Sequence, residues 1–382
     1  MNMRRDNYII ICTTALLAAL SSCSKSTVGG IDDTVVMPVT LGTNVGAVEV
    51  SKAEGASGAL DGWNSNQVYV YGIETSTSEG PNISGGRFID GVAATAPVSG
   101  TSGSLTLYNP DVTSGDEPFY YQGSRKYEFF GYYVDDAEVD TPQITSTSIS
   151  IPIRIDGTQD VMTAATIHEN DLAGAKEGAA VEESDIYSAY SARRDVHPNL
   201  VFRHQLSRFV FKARTGFADS DERAGKISVT GLVVKADTEA TLTVVGEQGI
   251  SGTLSNADLP LWRGSAGALQ QISRENAVPI TMTEDVLGDM MLYPGGKKYP
   301  ITIFFHQDGY TVGDGYFSTS LELDFSNISF DVNSGQAKDT ESVAGHQYTV
   351  TFTVWGLQGV DVNVSLDDWK PSGSFTINPD KD

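Results

Sequence analysis

The stretch Tyr348-Thr-Val-Thr-Phe-Thr-Val354 alternates strictly between apolar residues and threonines. A period of two is typical of a β-strand with one face in a core and one face in water. Residues 360–366 repeat the pattern with three valines and a leucine, and a short glycine-containing segment joins the two stretches. The sequence therefore predicts an antiparallel strand pair whose apolar side chains share one core.

Further apolar or alternating runs are spread along the chain and are separated by turns rich in glycine and serine. They lie at residues 67–73, 127–133, 149–155, 200–213, 227–234, 241–245, 301–305 and 317–325. Between Phe202 and Phe209 the apolar phase changes, which predicts a bulge or a break near Ser207. The one helix-compatible stretch, residues 179–194, is weakly amphipathic. The pattern predicts an all-β protein built from sandwiches.

The first residues have the organisation of an export signal. Arg4 and Arg5 precede an apolar run at residues 8–20, which is too short to span a bilayer as a helix. The run leads into Leu20-Ser21-Ser22-Cys23, which resembles the bacterial lipobox. This resemblance implies cleavage before Cys23 and acylation of that residue. The mature chain would then be held to a membrane by lipid without spanning it.

Cysteine content and net charge limit the class of protein. Cys12 lies inside the export signal, so Cys23 would be the only mature cysteine and no disulfide could form within one chain. The formal net charge is −24. Nucleic acid is therefore not an expected partner, because phosphates are bound by basic surfaces. Direct attraction to anionic lipid headgroups is excluded for the same reason.

Two polar stretches, residues 51–66 and 170–195, divide the mature chain. Residues 34–41 are β-prone and follow a polar segment suited to a flexible tether. The predicted units are a lipoprotein signal peptide at residues 1–22, a lipid tether with an early strand at 23–50, an N-terminal β-sandwich domain at 51–195, and a C-terminal β-sandwich domain at 196–382.

An ordered set of short motifs runs through the mature chain. The set comprises Cys23, Lys52-Ala53 in a loop, Val68-Tyr-Val-Tyr71, Phe129-Phe-Gly-Tyr-Tyr133, Asp160-Val-Met-Thr-Ala164, Phe202-x-His204-x-x-Ser207-Arg208, and a closing strand pair that ends in Asp368-Trp369. In this order the motifs resemble the fimbrillin family, the subunits of type V pili and related surface adhesion lipoproteins. The resemblance implies two transthyretin-like β-sandwich domains in tandem.

The same resemblance implies assembly by strand exchange. A protease would remove the early strand after the basic residue Lys52, and a strand of the next subunit would fill the groove left behind. Two departures matter, because stalk subunits have arginine where this chain has Lys52, and the tail after Trp369 is short. In that tail, residues 375–377 could donate a strand, but Pro371 and Pro379 limit its ladder. Stalk, anchor, tip and uncleaved adhesin all remain open.

Residues that could carry chemistry do not form a recognisable site. The histidines lack the paired spacing of metal ligands and are His168, His197, His204, His306 and His346. No Gly-x-Ser-x-Gly motif occurs, and the acidic residues at 135–140 lack the spacing of an EF-hand. The sequence predicts no enzyme, no metal and no cofactor. His204 is expected to be packed and hydrogen-bonded at a sheet edge, and Trp369 to cover the end of a core.

The predicted function is that of a lipid-anchored cell-surface adhesion protein or fimbrial subunit. Its expected partners are other pilus subunits or copies of itself, joined by β-strand addition, and a host or bacterial surface ligand that the sequence does not identify. The expected location is an outer-membrane lipid anchor at the cell surface or in a fimbrium. The alternative is a carbohydrate-binding surface lipoprotein in which Trp63 or Trp262 would contact the glycan.

Overall fold

The computed structural model describes residues 36–45, 62–76, 80–113, 115–135, 140–166, 187–265, 268–326, 339–356 and 360–367. Within these residues the strands form three sheets of nine, six and seven strands. The same residues include an α-helical turn, α1 (Ala189–Ala192), and a 3-10 turn, Val312–Gly315. The all-β class predicted from the sequence is confirmed.

The first sheet is built from the amino-terminal part of the chain. Its strands are β1 (Gly42–Val45), β2 (Gln67–Ser76), β3 (Gly80–Pro81), β4 (Arg87–Thr95), β5 (Ser102–Ser104), β6 (Thr106–Leu107), β7 (Tyr127–Val134), β10 (Val161–Thr166) and β11 (Asn199–His204). The strand order is β5-β1-β11-β10-β7-β2-β4-β6, and β3 pairs with β2. β1 runs parallel to β11 and antiparallel to β5.

The second and third sheets are built mainly from the later part of the chain. The second contains, in spatial order, β16 (Ala268–Gln271), β15 (Trp262–Ser265), β18 (Asp285–Leu292), β12 (Ser207–Thr215), β21 (Gln347–Val354) and β22 (Val360–Asp367). The third has the order β20 (Tyr316–Asp324), β19 (Lys298–Gln307), β13 (Ile227–Val245), β9 (Ile149–Arg154) and β8 (Gln143–Ile144), and β14 (Gly249–Pro260) and β17 (Val278–Pro279) also pair with β13.

The buried apolar side chains form three hydrophobic cores. The first core covers one face of the first sheet, with Phe129 and Phe202 among its members. The third core covers the opposite face, where Tyr71 and Tyr132 belong to the same cluster as residues of β9 and β13. The second core, which includes Phe352, lies between the second and third sheets. The first sheet is therefore buried on both faces.

β13 is one strand of 19 residues where the sequence pattern predicts two separate strands. Its first part pairs with β19, and its second part pairs with β9. Val234 belongs to the second core and Leu242 to the third core, so the strand passes through both. The division at residues 195 and 196 remains a prediction, as does the transthyretin-like detail of the fold.

The predicted break near Ser207 is confirmed, because β11 ends at His204 and β12 begins at Ser207. The chain changes sheet at this point. Phe202 lies in the first core, Leu206 in the third and Phe209 in the second. The apolar phase of the sequence therefore changes because successive parts of this segment contribute side chains to three different cores.

The predicted pair at the end of the chain is also confirmed, since β21 and β22 are antiparallel with Tyr348 opposite Leu366. Two details differ from the prediction. Thr349 is only 6% exposed, because β21 lies between β12 and β22 and neighbouring side chains shield both of its faces. Val362, expected in the core, is 38% exposed because β22 is at the edge of the second sheet in the described part of the chain.

Buried tyrosines predict that the fold loses stability at alkaline pH. Burial, followed by the negative charge of Asp90, raises the pKa of Tyr71 from its ordinary value of 10.0 to about 12. Below about pH 10 the Tyr71 phenol is neutral in both the folded and the unfolded protein. As pH rises from there towards 12, the unfolded phenol ionises first, so the free energy of unfolding decreases.

Urea unfolding between about pH 9 and pH 11 measures this loss. The Tyr71→Phe variant is expected to lose less stability over the same interval. An equal loss in wild type and variant would contradict a contribution from Tyr71.

Candidate functional site

The early segment, residues 36–45, ends in β1 of the first sheet and buries alternate side chains. Val39, Leu41, Thr43 and Val45 are each at most 6% exposed, whereas Val36 is 61% exposed. The apolar members of this row belong to the first core. Burial of a valine or leucine side chain contributes about 1.5–3 kcal/mol, so the three together contribute roughly 5–9 kcal/mol. That sum is comparable with the free energy of unfolding of an ordinary domain, about 5–15 kcal/mol.

Backbone hydrogen bonds hold the early segment along its length. At its start, the Tyr121 amide donates to Met37 O at 3.0 Å, and the Val39 amide donates to Phe119 O at 2.8 Å. Further on, the Leu105 amide donates to Leu41 O at 2.9 Å. β1 then lies between β5 and β11, so both of its edges are paired.

A glycine of β1 lies close to the side chain of the residue opposite it on β11. Gly42 is opposite Asn199, and a Cβ atom at position 42 would lie 2.8 Å from Asn199 Oδ1. A larger residue at this position would require the Asn199 side chain to move.

Only a short strand separates β1 from the edge of the first sheet. β5 has three residues, all of them exposed. Without the early segment, one edge of β11 and the first core, including Phe202, would lose their cover. An uncovered strand edge beside apolar side chains is a site for pairing with another chain.

The residues on either side of 46–61 are hydrogen-bonded to the backbone carbonyls of two consecutive residues. The Val45 amide donates to Thr101 O at 2.7 Å, and the Trp63 amide donates to Gly100 O at 2.7 Å. The Trp63 side chain is 2% exposed and packs edge-on against Phe202, with ring centroids 5.1 Å apart. A cut between these two anchors would leave the early segment held by non-covalent contacts alone.

Thr43 is a polar member of the inward row. Its side chain is 1% exposed, and its hydroxyl has no hydrogen-bond partner among the described residues. Because valine has nearly the same shape and no polar atom to desolvate, Thr43→Val is expected to raise the free energy of unfolding by about 1 kcal/mol. Denaturant unfolding measures the gain. Thr40→Val, at an exposed position of the same segment, is the control, and a destabilised Thr43→Val variant would contradict the assignment of an unsatisfied hydroxyl.

The position of the early strand differs from the one predicted from the sequence. The β-prone stretch was predicted at residues 34–41, whereas the regular strand is β1, with an isolated bridge between Pro38 and Tyr120 before it. The alternation of Val39, Leu41, Thr43 and Val45 was available, but Pro38 and Gly42, at outward positions of the same stretch, are residues that disfavour a strand. The residues of the sheet that accept the segment could not be identified, because they come from sequence-distant strands.

The predicted lipid-attachment residue Cys23 and the predicted processing residue Lys52 lie outside the described residues, as do Trp369, residues 375–377 and His168. Cys23 and Lys52 therefore remain predictions. In the part of the chain that the structure describes, no helix is long and apolar enough to cross a membrane. Among the same residues, no three side chains of His, Cys, Asp or Glu come together as metal ligands.

His204 is buried and hydrogen-bonded, as predicted. Its Nδ1 lies 3.0 Å from Asp160 Oδ1. β10 pairs with β11 as far as His204, whereas β1 pairs with it only from Asn199 to Phe202, so the expected position at a sheet edge stays a prediction. A buried ion pair lies beyond the break between β11 and β12, where Arg208 Nε donates to Asp289 Oδ2 at 2.9 Å and both side chains are 2% exposed. The two pairs lie on opposite sides of the crossing between sheets.

Of the two tryptophans expected to contact a glycan in the alternative hypothesis, one is buried and one is partly exposed. Trp63 is in the first core, so its predicted role as a glycan contact is wrong. Trp262 is half-buried on β15. Trp355 is 37% exposed, but its indole Nε1 donates to Asp361 Oδ2 at 3.0 Å and its ring packs edge-on against Phe217.

These features define an all-β protein whose early segment is inserted between strands that come much later in the chain. Residues 56–369 match the model of the fimbrillin-like family, and the chain belongs to this family. The resemblance inferred from the short motifs is confirmed. Membership supports a role as a pilus subunit or an adhesion protein at the cell surface or in fimbriae, and the family is not one of enzymes.

Solved structures of similar proteins have low sequence identity to this chain. A candidate cell adhesion protein from Bacteroides uniformis is 17% identical, with a TM-score of 0.47 over 87% of this chain and 98% of that chain. A fimbrilin from Porphyromonas gingivalis is 9% identical, with a TM-score of 0.38 over 87% and 98% of the two chains. The fimbrial anchor protein from Porphyromonas gingivalis is 11% identical, with a TM-score of 0.31 over 86% and 98%. A comparison with curated proteins found no match.

Proposed function

We propose that this protein is a lipid-anchored surface subunit that assembles by exchanging its early segment for a strand of another subunit. The observation that carries the proposal is the insertion of β1, the last four residues of the early segment, between β5 and β11. The segment buries a complete inward row and yet is joined to the rest of the described chain only through residues 46–61. One cut in that connection would make it replaceable by a strand with the same alternation.

Lys52 is the proposed cleavage site, seven positions after the last residue of β1. A lysine-specific protease would be applied to the mature chain carrying Cys23→Ser, and mass and oligomer size would be followed over time. Oligomers are expected to grow as the fragment ending at Lys52 is displaced by strands of other copies. Lys52→Gln is the matched control and should remain monomeric. A chain that is cut at Lys52 and stays monomeric would count against strand exchange.

Cys23 is the proposed point of attachment to the outer membrane. Acyl chains contribute about 0.8 kcal/mol for each buried CH₂ group, so two or more chains give stable anchoring. Wild-type protein is expected to incorporate labelled fatty acid and to fractionate with membranes, whereas Cys23→Ser should do neither. Equal labelling of wild type and variant would show that the lipid is attached elsewhere or that the label is non-specific, and would remove Cys23 from the account.

The proposed partners are other pilus subunits or further copies of this chain, joined through the groove between β5 and β11. Main-chain hydrogen bonds would supply affinity, and the inward pockets would select the side chains of the incoming strand. The incoming strand would need apolar residues at the places of Val39, Leu41 and Val45, and at the place of Gly42 it would need a glycine or a shift of the Asn199 side chain. No catalytic activity is proposed for the protein.

A further inference from the structure

A shallow pocket lies on the outer face of the third sheet, away from the early segment. Its volume is about 410 Å³, which is within the usual range for small ligands. Its polar and aromatic lining comes from β13, β19, β20 and the loop between β16 and β17, and includes Thr230, Arg274, Phe304, Tyr316 and Ser318. Register places Phe304 opposite Ser318 and His306 opposite Tyr316, so these side chains lie along one face of the strand pair.

Phe304 offers an aromatic surface to a ligand. It is 39% exposed although its neighbour Phe305 is fully buried. The opposite residue on β13 is Gly231, where a Cβ atom would lie only 3.1 Å from Phe304 Cδ2. The glycine therefore allows the phenyl ring to pack closely against the sheet. An aromatic ring held in this way is suited to contact with the apolar face of a sugar ring.

Arg274 supplies a positive charge at the same pocket. Its guanidinium carbon lies 4.1 Å from the centroid of the Tyr316 ring. Stacking over a ring orients the guanidinium and leaves its in-plane N–H groups available for an anion. Among the described residues Arg274 makes no ion pair, although the chain carries a net charge of −24. An acidic side chain lies beside the pocket residues, because Asp308 Oδ1 is 3.3 Å from Nδ1 of His306, the residue opposite Tyr316.

We propose that this pocket binds a carboxylated sugar unit of a surface glycan. The sugar ring would pack on Phe304, its carboxylate would accept two hydrogen bonds from Arg274, and its hydroxyl groups would bond with Ser318. Planar bidentate recognition of carboxylate is the chemistry for which arginine is best suited. The inference does not depend on strand exchange, because no residue of the pocket belongs to the first sheet.

Calorimetric titration of the mature chain tests the proposal with oligosaccharides ending in glucuronic, galacturonic or sialic acid. Saturable binding of at least one of them is expected. Arg274→Gln should weaken that binding by about tenfold or more, and the methyl ester of the same sugar should bind wild type about as weakly. Phe304→Ala should also weaken binding, with an unchanged circular dichroism spectrum as evidence that the variant is folded. Arg154→Gln is the control, since that arginine is exposed at a different depression.

Absence of saturable binding to all three sugars would overturn the proposal. Binding that is unaffected by Arg274→Gln and by esterification would also overturn it, because the site would then recognise neutral sugar surface. Oligomer formation after cleavage at Lys52 should be the same in Arg274→Gln and wild type, so failure of this proposal is distinguishable from failure of strand exchange.

Discussion

Replacing Leu41 with aspartate is expected to lower the free energy of unfolding by more than about 4 kcal/mol. Leu41 is 1% exposed in the first core, and its own carbonyl accepts a backbone hydrogen bond from Leu105. The substitution removes a buried leucine side chain and places a carboxylate among apolar side chains. Both changes lower the free energy of unfolding. Denaturant unfolding of the mature chain measures the difference.

Thr40→Asp is the matched control for Leu41→Asp. Thr40 is exposed on the opposite side of the same segment. Its substitution is expected to change stability by less than about 0.5 kcal/mol. Similar losses in the two variants would show that the early segment does not have the alternating burial described above.

Asp289→Ala is expected to destabilise the protein by about 3–5 kcal/mol, because it leaves the Arg208 guanidinium buried without its carboxylate partner. Arg208 is opposite Met291, a member of the third core, so the pair lies where the second sheet meets that core. Removing both charges with Arg208→Met and Asp289→Leu should cost less than Asp289→Ala alone.

The control for the buried pair is an exposed one. Arg154 and Glu239 approach to 3.9 Å with side chains 66% and 50% exposed. Glu239→Ala is expected to cost less than about 1 kcal/mol, since water and salt screen the pair. If Asp289→Ala cost no more than Glu239→Ala, the Arg208–Asp289 pair would not be an energetically important contact.

Local alternation was enough to predict most of the central strands. β2, β7 and β9 follow runs identified from the sequence, because a period of two depends only on neighbouring residues. The same reasoning missed the continuity of β13, whose central residues between the two apolar runs are polar or small. The strand persists there because β14 pairs alongside it, which is a tertiary contact.

The candidate site was predicted in part. The lipobox and the basic loop identified Cys23 and Lys52 from local motifs, and both still await a test. The place of the early segment depends on pairing with β11, more than 150 positions later in the chain, and no local pattern contains that information. The partners of buried charges are similarly remote, since Arg208 and Asp289 are 81 positions apart. The pocket around Phe304 and Arg274 was missed because its residues come from four separate segments.

A disulfide lock on the early segment tests strand exchange most directly. Asn44 and Ser102 are opposite each other in the antiparallel pair of β1 and β5. The bonds of Val45 with Thr101 and of Leu105 with Leu41 make them a non-hydrogen-bonded pair, with Cα atoms typically about 4.5 Å apart. That spacing suits a disulfide. The chain would carry Asn44→Cys and Ser102→Cys with Cys23→Ser.

The oxidised and reduced forms of this chain would be cut with the lysine-specific protease and compared by oligomer size. The account predicts that the oxidised form keeps its early segment and remains monomeric, and that the reduced form releases the segment and assembles into a ladder of oligomers. Equal assembly of the two forms, or a reduced form that stays monomeric after the cut, would contradict it.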